Sequence, residues 1–173
     1  MEFFLPYHQR KIKFSLPFRV PVALIKPRRV LRLKDPLLTI QNVFPQDTFD
    51  EFFKKEDKVV IIVSDITRYS GAEIFLPFLL NRLKRKGVSD KNVTIVFSLG
   101  IHRLMSREEQ IKVVGKEVAQ RVRMENHNAR GGDLVYLGKT KRGTPVIVNR
   151  KVVEADKVIL TGTIGYHYLA GFG

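Results

Sequence analysis

Uninterrupted apolar runs alternate with stretches of helical spacing along most of this chain. Five β-branched residues follow one another from Val59 to Val63. A run of this kind is typical of a strand buried on both faces of a parallel sheet. The run Val93–Phe97 has the same character, and a third and a last strand are predicted at 122–126 and 158–160.

Two helices are predicted between these strands. Over Phe75–Leu83 the apolar residues recur every three or four positions, with Pro77 expected in the first turn and Gly87 ending the helix. Ser106 and Glu109 have the spacing of a capping box, which begins the second helix. The residues of this second helix expected to face inward are Ile111, Val114 and Val118.

The order strand, helix, strand, helix, strand predicts an α/β fold with a mostly parallel sheet flanked by helices. Between the third strand and the last, we expect a hairpin formed by 134–137 and 146–148 around the turn residues 141–143. A short helical piece is expected at 152–155. We assign this α/β domain to residues 46–173.

The first 45 residues have a different pattern. Polar and apolar residues alternate with a period of two over Lys11–Leu16, which predicts a half-buried strand, and Phe3–Leu5 is expected to pair with it as a hairpin. Prolines recur too often for a long helix, at positions 6, 17, 21, 27, 36 and 45. We therefore expect a small β-rich arm at residues 1–45.

Composition narrows the chemistry available to the chain. Its 173 residues include no Cys, which excludes thiolate nucleophiles, zinc fingers and iron–sulfur clusters. Any metal has to be held by histidine, carboxylate or a cofactor. No apolar stretch approaches the roughly 20 residues needed to cross a bilayer, and the first residues lack the pattern of a signal peptide. We expect a cytoplasmic protein that does not enter the membrane.

The formal net charge of +14 raises the alternative of a nucleic-acid-binding module, because Lys and Arg contacts to phosphates dominate that kind of affinity. The excess of basic residues is shared by both halves of the chain. Its densest cluster, between Lys26 and Lys34, lies beside prolines and contains apolar residues, which favours a solvated connecting segment. Nucleic acid is therefore the less favoured partner.

Polar residues follow the predicted strands where each strand ends. They occupy the segments Ser64–Arg68, Ser98–Arg103, 126–128 and 161–167, which include three of the four histidines. In an open parallel sheet, ligands bind in the crevice beyond the carboxyl ends of the strands. The sequence therefore predicts a binding site at this edge of the sheet.

The segment after the first strand of the sheet contains Asp65, Thr67 and Arg68, and this cluster has two interpretations. Asp65 and Thr67 can turn the chain or cap the following helix. A hydroxyl, backbone amides and a guanidinium at a strand end also suit a phosphate group. The chain contains no dinucleotide-binding fingerprint, P-loop, nucleophile elbow or His-Glu-x-x-His zinc motif.

His102 and His167 both lie in Gly-rich segments on the same predicted edge. Two imidazoles that face each other across a small substrate can serve as acid and base, because both titrate near neutral pH. His127 has no such setting, and we expect it to have a supporting or structural role. His8 is expected at the surface of the arm.

Five short segments carry a resemblance to a known family. They are Leu5–Tyr7, Val63–Arg68, Ser98–Arg103, Gly143–Val146 and His167–Phe172. In this order they resemble segments of the nickel-pincer-nucleotide-dependent lactate racemases and related 2-hydroxyacid racemases and epimerases, including the Ser-Asp-x-Thr-Arg and Gly-x-His-Arg signatures of that family. The chain departs from the family after Arg68, where Tyr69 replaces the usual proline.

The resemblance implies that His102 and His167 are the catalytic acid/base pair, one on each face of the α-carbon of the hydroxyacid. It also implies that Asp65, Thr67 and Arg68 help to hold the nucleotide of the cofactor. In such enzymes the α-hydrogen passes to the cofactor as a hydride while the histidines move the hydroxyl proton. The covalent lysine and the nickel-ligating histidine of the family have no counterpart before Gly173, so we assign no metal ligand in this chain.

We therefore predict the N-terminal domain of a full-length racemase or epimerase. Its substrate is expected to be a small 2-hydroxyacid, and its expected partner is the C-terminal domain of the family. The 173 residues alone are expected to have little or no racemase activity. Two alternatives stay open: a basic nucleic-acid-binding α/β module, and a degenerate nucleotide-binding protein without catalysis.

Overall fold

In a computed structural model, the chain divides into two compact units, Met1–Leu33 and Lys34–Gly173. The structure describes residues 2–7, 9–15, 21, 23, 31–44, 46–167 and 171–172, and it describes only the backbone of Pro6, Gln46, Tyr166, His167 and Phe172. His8 and most of the basic cluster at 26–34 lie outside the described residues. The division into an arm at 1–45 and a domain at 46–173 stays a prediction.

The first unit contains an antiparallel hairpin of β1 (Glu2–Tyr7) and β2 (Arg10–Ser15). Phe3 is opposite Phe14 across the hairpin, and the two rings stack with their centroids 5.2 Å apart. Alternate residues of a strand point to opposite faces, so Leu5 and Ile12 lie on the face of Phe3 and Phe14, whereas Phe4 lies on the other. The predicted hairpin is confirmed, but every residue of β2 is exposed, so the expectation of a half-buried strand is wrong.

The second unit alternates helices and strands. In chain order these are α1 (Pro36–Val43), α2 (Gln46–Phe52), β3 (Val59–Ser64), α3 (Ala72–Arg85), a 3₁₀ turn (Asp90–Asn92), β4 (Val93–Ser98), α4 (Arg107–Val114), α5 (Lys116–Arg121), β5 (Arg123–Asn126), β6 (Leu134–Lys139), β7 (Pro145–Asn149), α6 (Arg150–Val153), β8 (Lys157–Leu160), β9 (Tyr166–His167) and β10 (Gly171–Phe172). Within the described residues, no helix combines the length and the apolar character that crossing a bilayer requires.

Four of these strands form one parallel sheet in the order β5–β4–β3–β8. The central strands β3 and β4 pair in register from Val59 with Val93 to Ser64 with Ser98. Two antiparallel pairs, β6 with β7 and β9 with β10, lie outside this sheet. The predicted fold class, α/β with a mostly parallel sheet flanked by helices, is confirmed.

The core lies where helices cover one face of this sheet. Ile61 of β3 and Ile95 of β4 are fully buried in one cluster with Leu76 and Leu80 of α3 and Val118 of α5. Burying an aliphatic side chain of this size stabilises the fold by about 1.5–3 kcal/mol. The packing fixes β3 and β4 firmly, so the polar residues that follow them start from defined positions.

Helix α1 occupies the end of the segment predicted as a β-rich arm. Its first residue is Pro36, and proline is tolerated there because the first helical N–H has no partner within the helix. Asp35 caps the helix by accepting a hydrogen bond from the Leu38 N–H at 2.9 Å. A proline at the first position is compatible with a short helix. The frequent prolines of this segment therefore exclude a long helix but not a short one such as α1.

Pro77 lies inside α3, and the expectation that it occupies the first turn is wrong. The helix begins at Ala72, after Gly71 in a left-handed conformation with φ of 68°. A proline at this depth removes one backbone hydrogen bond and costs about 3 kcal/mol. Buried Leu76 and Leu80 on either side of it pack into the core, and their burial offsets that cost.

The helix predicted after Ser106 is two helices, because Gly115 interrupts it. The capping box is present, with the Glu109 N–H donating to Ser106 Oγ at 3.3 Å and the Ser106 N–H donating to Glu109 Oε2 at 3.0 Å. Gly115 has φ of 85° and ψ of 155°, which separates α4 from α5. Val114 and Val118 are nevertheless both buried, as the spacing predicted.

Replacing Gly115 with alanine is expected to lower the free energy of unfolding by about 1–2 kcal/mol, because an L-residue is strained at this positive φ. The added Cβ would also lie 3.5 Å from Cβ of Glu73. Urea unfolding followed by circular dichroism measures the change. Gly132→Ala is the matched control, since a Cβ there meets nothing within 4 Å; equal losses in both variants would contradict the prediction.

Candidate active site

The carboxyl ends of β3, β4 and β8 meet at one edge of the sheet and surround a pocket of about 430 Å³. Its lining comes from the segments that follow these three strands: Ser64, Asp65, Arg68, Ser98, Leu99, Gly100, Ile101, His102, Gly162 and Thr163. The parallel topology brings these segments together although as many as 99 positions separate them, from Ser64 to Thr163. Three of the predicted site residues, Asp65, Arg68 and His102, therefore share one pocket.

Asp65 and His102 form a direct hydrogen-bonded pair. Oδ2 of Asp65 lies 2.5 Å from Nδ1 of His102, and the two residues are 37 positions apart in the chain. The Asp65 side chain is only 4% exposed, whereas the His102 side chain is 53% exposed. The pair thus joins a buried carboxylate to an imidazole that is open to the pocket.

Thr67 completes the surroundings of Asp65. Its backbone N–H and its hydroxyl both donate to Oδ1 of Asp65, at 2.9 Å and 2.6 Å. The Arg68 N–H also donates to the carbonyl of Asp65 at 3.0 Å, which closes the turn after β3. The described contacts of Asp65 and Thr67 agree with the turn interpretation of this cluster.

Burial by itself would raise the pKa of Asp65, but the hydrogen bonds from His102 and Thr67 outweigh it and hold the pKa below its ordinary value. Asp65 is therefore ionised at neutral pH and can only accept hydrogen bonds. Nδ1 of His102 must then donate the proton in this contact. In a neutral ring, this leaves Nε2 of His102 with a free lone pair, which is the form of a general base.

Arg68 is the cation of the pocket. Among the residues that the structure describes, its guanidinium has no carboxylate or carbonyl partner, although it lines the wall beside Asp65. An unengaged guanidinium presents several donors in one plane and suits a carboxylate or phosphate ligand. The arrangement therefore places an unengaged guanidinium in the same pocket as the imidazole of His102.

Met105 supports these loops and was not predicted from the sequence, whereas Asn126, its partner, lies in a segment that was. Sδ of Met105 accepts a hydrogen bond from the Ile66 N–H at 3.2 Å, and the carbonyl of Met105 accepts one from Nδ2 of Asn126 at 2.8 Å. These contacts link the segments after β3 and β4 with the last residue of β5. A buried methionine in a loop has no sequence signature, whereas Asn126 was recognisable by its position at a strand end.

Of the other two histidines expected at this edge, His127 does not line the described pocket. Nδ1 of the His127 ring lies 3.3 Å from Nδ2 of Asn149. The backbone N–H of His127 donates to the carbonyl of Phe97, and both contacts agree with the supporting role expected for this histidine. His167 has its backbone in β9, while its side chain lies outside what the structure describes. The pairing of His102 with His167 therefore stays a prediction.

Acid is expected to destabilise this domain, because Asp65 and Glu109 both have lowered pKa values. Hydrogen bonds from Arg103 and then Ser106 lower the pKa of Glu109 to about 2. Each carboxyl therefore stabilises the fold above its unfolded pKa, and this contribution is lost as the pH falls through its folded pKa. Asp65 is expected to contribute most, because Arg103, the partner of Glu109, is 71% exposed and solvent screens that ion pair.

We expect the free energy of unfolding to fall as the pH drops from about 5 toward 2. Urea titrations at a series of pH values measure this slope. The variant Asp65→Asn removes one of the two carboxyls, so its slope is expected to be shallower. A slope equal to that of the unaltered chain would contradict the contribution of Asp65.

The described residues contain no group of three His, Asp or Glu side chains arranged to hold a metal ion. The pocket therefore holds a hydrogen-bonded carboxylate–imidazole pair and a guanidinium, without a metal site of its own among these residues.

Comparison with known proteins gives one family. The family model described as the lactate racemase N-terminal domain matches residues 7–173. The lactate racemase of Lactiplantibacillus plantarum is 30% identical over 135 residues, which cover 78% of this chain and 32% of that protein. The lactate racemase of Thermoanaerobacterium thermosaccharolyticum is 26% identical over 175 residues, covering 97% of this chain and 41% of that protein.

Two solved structures have the same fold. The lactate racemase apoprotein from Thermoanaerobacterium thermosaccharolyticum superposes with a TM-score of 0.73 and 25% identity, covering 100% of this chain and 41% of that one. A Thermotoga maritima protein superposes with a TM-score of 0.59 and 22% identity over 73% of this chain and 33% of its own. The chain thus spans about a third to two-fifths of the length of these relatives.

Proposed function

Since this chain belongs to the lactate racemase N-terminal domain family, we propose that it is the N-terminal domain of a nickel-pincer-nucleotide-dependent 2-hydroxyacid racemase or epimerase. The observation that carries the proposal is the Asp65–His102 pair in a pocket that also contains the guanidinium of Arg68. A 2-hydroxyacid presents a hydroxyl proton and a carboxylate, and the pocket holds a group suited to each.

The pocket fits the phosphate of the family's cofactor and supplies no metal site among the described residues. Arg68 is available to an anion, and a Cβ on Gly100 would meet nothing within 4 Å, so the pocket is open beside it. Arg68 would hold the phosphate or the substrate carboxylate, and Thr163 of the same pocket offers a hydroxyl. The ligands of the metal would come from outside the described residues.

We assign Asp65 to His102 rather than to the phosphate contact that the resemblance implies. Both oxygens of Asp65 already accept hydrogen bonds from protein donors. An ionised carboxylate beside a phosphate would also repel it. We likewise assign Thr67 to the turn rather than to the phosphate. Its hydroxyl donates to Asp65 and helps to close the turn that carries Arg68.

When bound, the nickel-pincer nucleotide supplies the acceptor for the α-hydrogen of the substrate. Nε2 of His102 accepts the hydroxyl proton, and the imidazolium that forms is stabilised by the carboxylate of Asp65 across the 2.5 Å contact. The same carboxylate holds the ring in the tautomer that leaves Nε2 free. His167 would perform the same proton transfer from the opposite face of the substrate.

The proposed activity belongs to the longer protein that the relatives represent. The resemblance attributes to its C-terminal part the lysine that carries the cofactor and the histidine that ligates nickel. We therefore expect the 173 residues alone to have little or no racemase activity. Which hydroxyacid is converted depends on groups contributed by that second part.

The test uses the longer, cofactor-loaded protein and enantiomerically pure 2-hydroxyacids, beginning with L-lactate. Chiral chromatography is expected to detect the opposite enantiomer, which accumulates until the two are equal. Cofactor binding without conversion of any small 2-hydroxyacid would contradict the proposal and favour a nucleotide-binding protein without catalysis.

A further inference from the structure

Two arginines are close to His102, one in the pocket and one in the sequence, and their hydrogen-bond partners differ. Arg68 lines the pocket, and its guanidinium has no partner among the described residues. Arg103 follows His102 directly in the chain, but it does not line the pocket. A guanidinium next to a proton-transfer group is an obvious anion ligand, so the two arginines have to be distinguished by their contacts.

The guanidinium of Arg103 is committed to the protein. Its Nη2 donates to Oε1 of Glu109 at 2.6 Å, and its Nη1 donates to Oε2 of the same carboxylate at 2.8 Å. Nη1 also donates to the carbonyl of Leu104 at 3.0 Å. Two parallel bonds of this kind fix both the position and the plane of the guanidinium.

Glu109 is itself anchored at the start of α4. Its Oε2 accepts from the Ser106 N–H at 3.0 Å, and its own N–H donates to Ser106 Oγ at 3.3 Å. The capping box therefore does more than begin a helix. It presents a fixed carboxylate to the loop in front of it, and Arg103 binds that carboxylate with two hydrogen bonds.

This anchor acts next to His102. The His102 N–H donates to the carbonyl of Leu99 at 3.0 Å, and its ring contacts Asp65. Only one peptide bond separates His102 from Arg103, so the loop is fixed on both sides of the imidazole. A ring that is 53% exposed would otherwise be free to leave the buried carboxylate.

We propose that Arg103 and Glu109 are positioning residues that hold His102 against Asp65, which leaves Arg68 as the anion ligand already proposed for this pocket. The relevance of this clamp to catalysis rests on the proposed function, whereas its effect on His102 does not. Arg103 is 71% exposed, and an exposed ion pair contributes little to overall stability. The clamp is therefore expected to act on geometry with little change in Tm.

The test compares four variants of the 173-residue chain by NMR. Arg103→Gln and Glu109→Gln remove the clamp, and glutamine at position 109 keeps the capping box. Arg68→Gln removes the pocket guanidinium. Glu108→Gln is the matched control, because it makes the same chemical change in the same turn of α4 without a contact to Arg103.

Two readouts separate the roles. The first is the proton signal of Nδ1–H of His102, which the contact with Asp65 protects from exchange with water. The second is the affinity for inorganic phosphate and for lactate, followed by amide shifts around the pocket. Circular dichroism establishes that each variant is folded before either readout is taken.

We expect Arg103→Gln and Glu109→Gln to lose or broaden the Nδ1–H signal and to leave the phosphate Kd unchanged. Arg68→Gln is expected to keep the signal and to raise the Kd for phosphate about tenfold. Glu108→Gln should change neither. In the longer, cofactor-loaded protein, the clamp variants should lower kcat more than they raise KM.

Several results would overturn the proposal. An unchanged His102 signal in both clamp variants would reduce Arg103 and Glu109 to a surface ion pair. A phosphate Kd that rises as much in Arg103→Gln as in Arg68→Gln, or no phosphate binding by the unaltered chain, would refute the assignment of Arg68. Neither readout depends on racemisation, so a failure of the proposed function is distinguishable from a failure of the clamp.

Discussion

His102→Gln in the longer, cofactor-loaded protein is expected to lower kcat for racemisation about a thousandfold, because proton transfer by a positioned side chain contributes about 10²–10⁴-fold. Glutamine fills similar space and still offers a donor to Asp65, but it has no basic nitrogen. The loss should therefore appear in kcat, with KM nearly unchanged. Initial rates of conversion of L-lactate and D-lactate, measured separately by chiral chromatography, provide the test.

His127→Gln is the matched control for this substitution. It makes the same change at the same edge of the sheet, at a histidine that contacts Asn149 and does not line the described pocket. We expect its kcat to stay within a few-fold of the unaltered protein. Equal rates in His102→Gln and the unaltered protein would return His102 to a structural role.

Asp65→Asn is expected to have the second large effect, lowering kcat about a hundredfold to ten-thousandfold. The side chains have the same shape, so the fold is retained. An amide lacks the negative charge that stabilises the imidazolium of His102. The NH₂ group of the asparagine can also donate to Nδ1 of His102. This contact favours the tautomer that carries the proton on Nε2, so Nε2 can no longer act as a base.

The measurement for Asp65→Asn combines the pH dependence of kcat with NMR of the His102 ring. We expect the proton of the neutral ring to move from Nδ1 to Nε2. Asp133→Asn serves as the control, because Asp133 is exposed and binds Arg150 away from the pocket. If Asp65→Asn retains full kcat, the carboxylate only closes the turn with Thr67.

Much of the fold could be predicted because short stretches of sequence determine its strands and the starts of its helices. A β-branched run such as Val59–Val63 has few alternatives to a buried strand, and the capping box of Ser106 and Glu109 needs only three positions of spacing. The breaks in the helices were less predictable. Gly115 interrupts a regular apolar spacing, and Pro77 is tolerated inside α3 because of packing that involves distant strands.

The edge that carries the pocket could be predicted from topology, since parallel strands bring their carboxyl ends together. The pairing of Asp65 with His102 could not. It depends on the conformations of two loops, each stabilised by contacts that cross between segments, such as that of Met105 with Ile66. The role of Arg103 could not be predicted for the same reason, although the sequence identified Glu109 as a member of the capping box.

The strand order has a consequence for how the site responds to thermal fluctuation. Asp65 and His102 follow β3 and β4, which are the two inner strands, whereas β5 and β8 lie outside them. Partial opening of a sheet begins at strands that are bonded on one side, and amides between two inner strands exchange with solvent most slowly. Either outer strand is therefore expected to open more readily than the β3–β4 pair, from whose ends Asp65 and His102 extend.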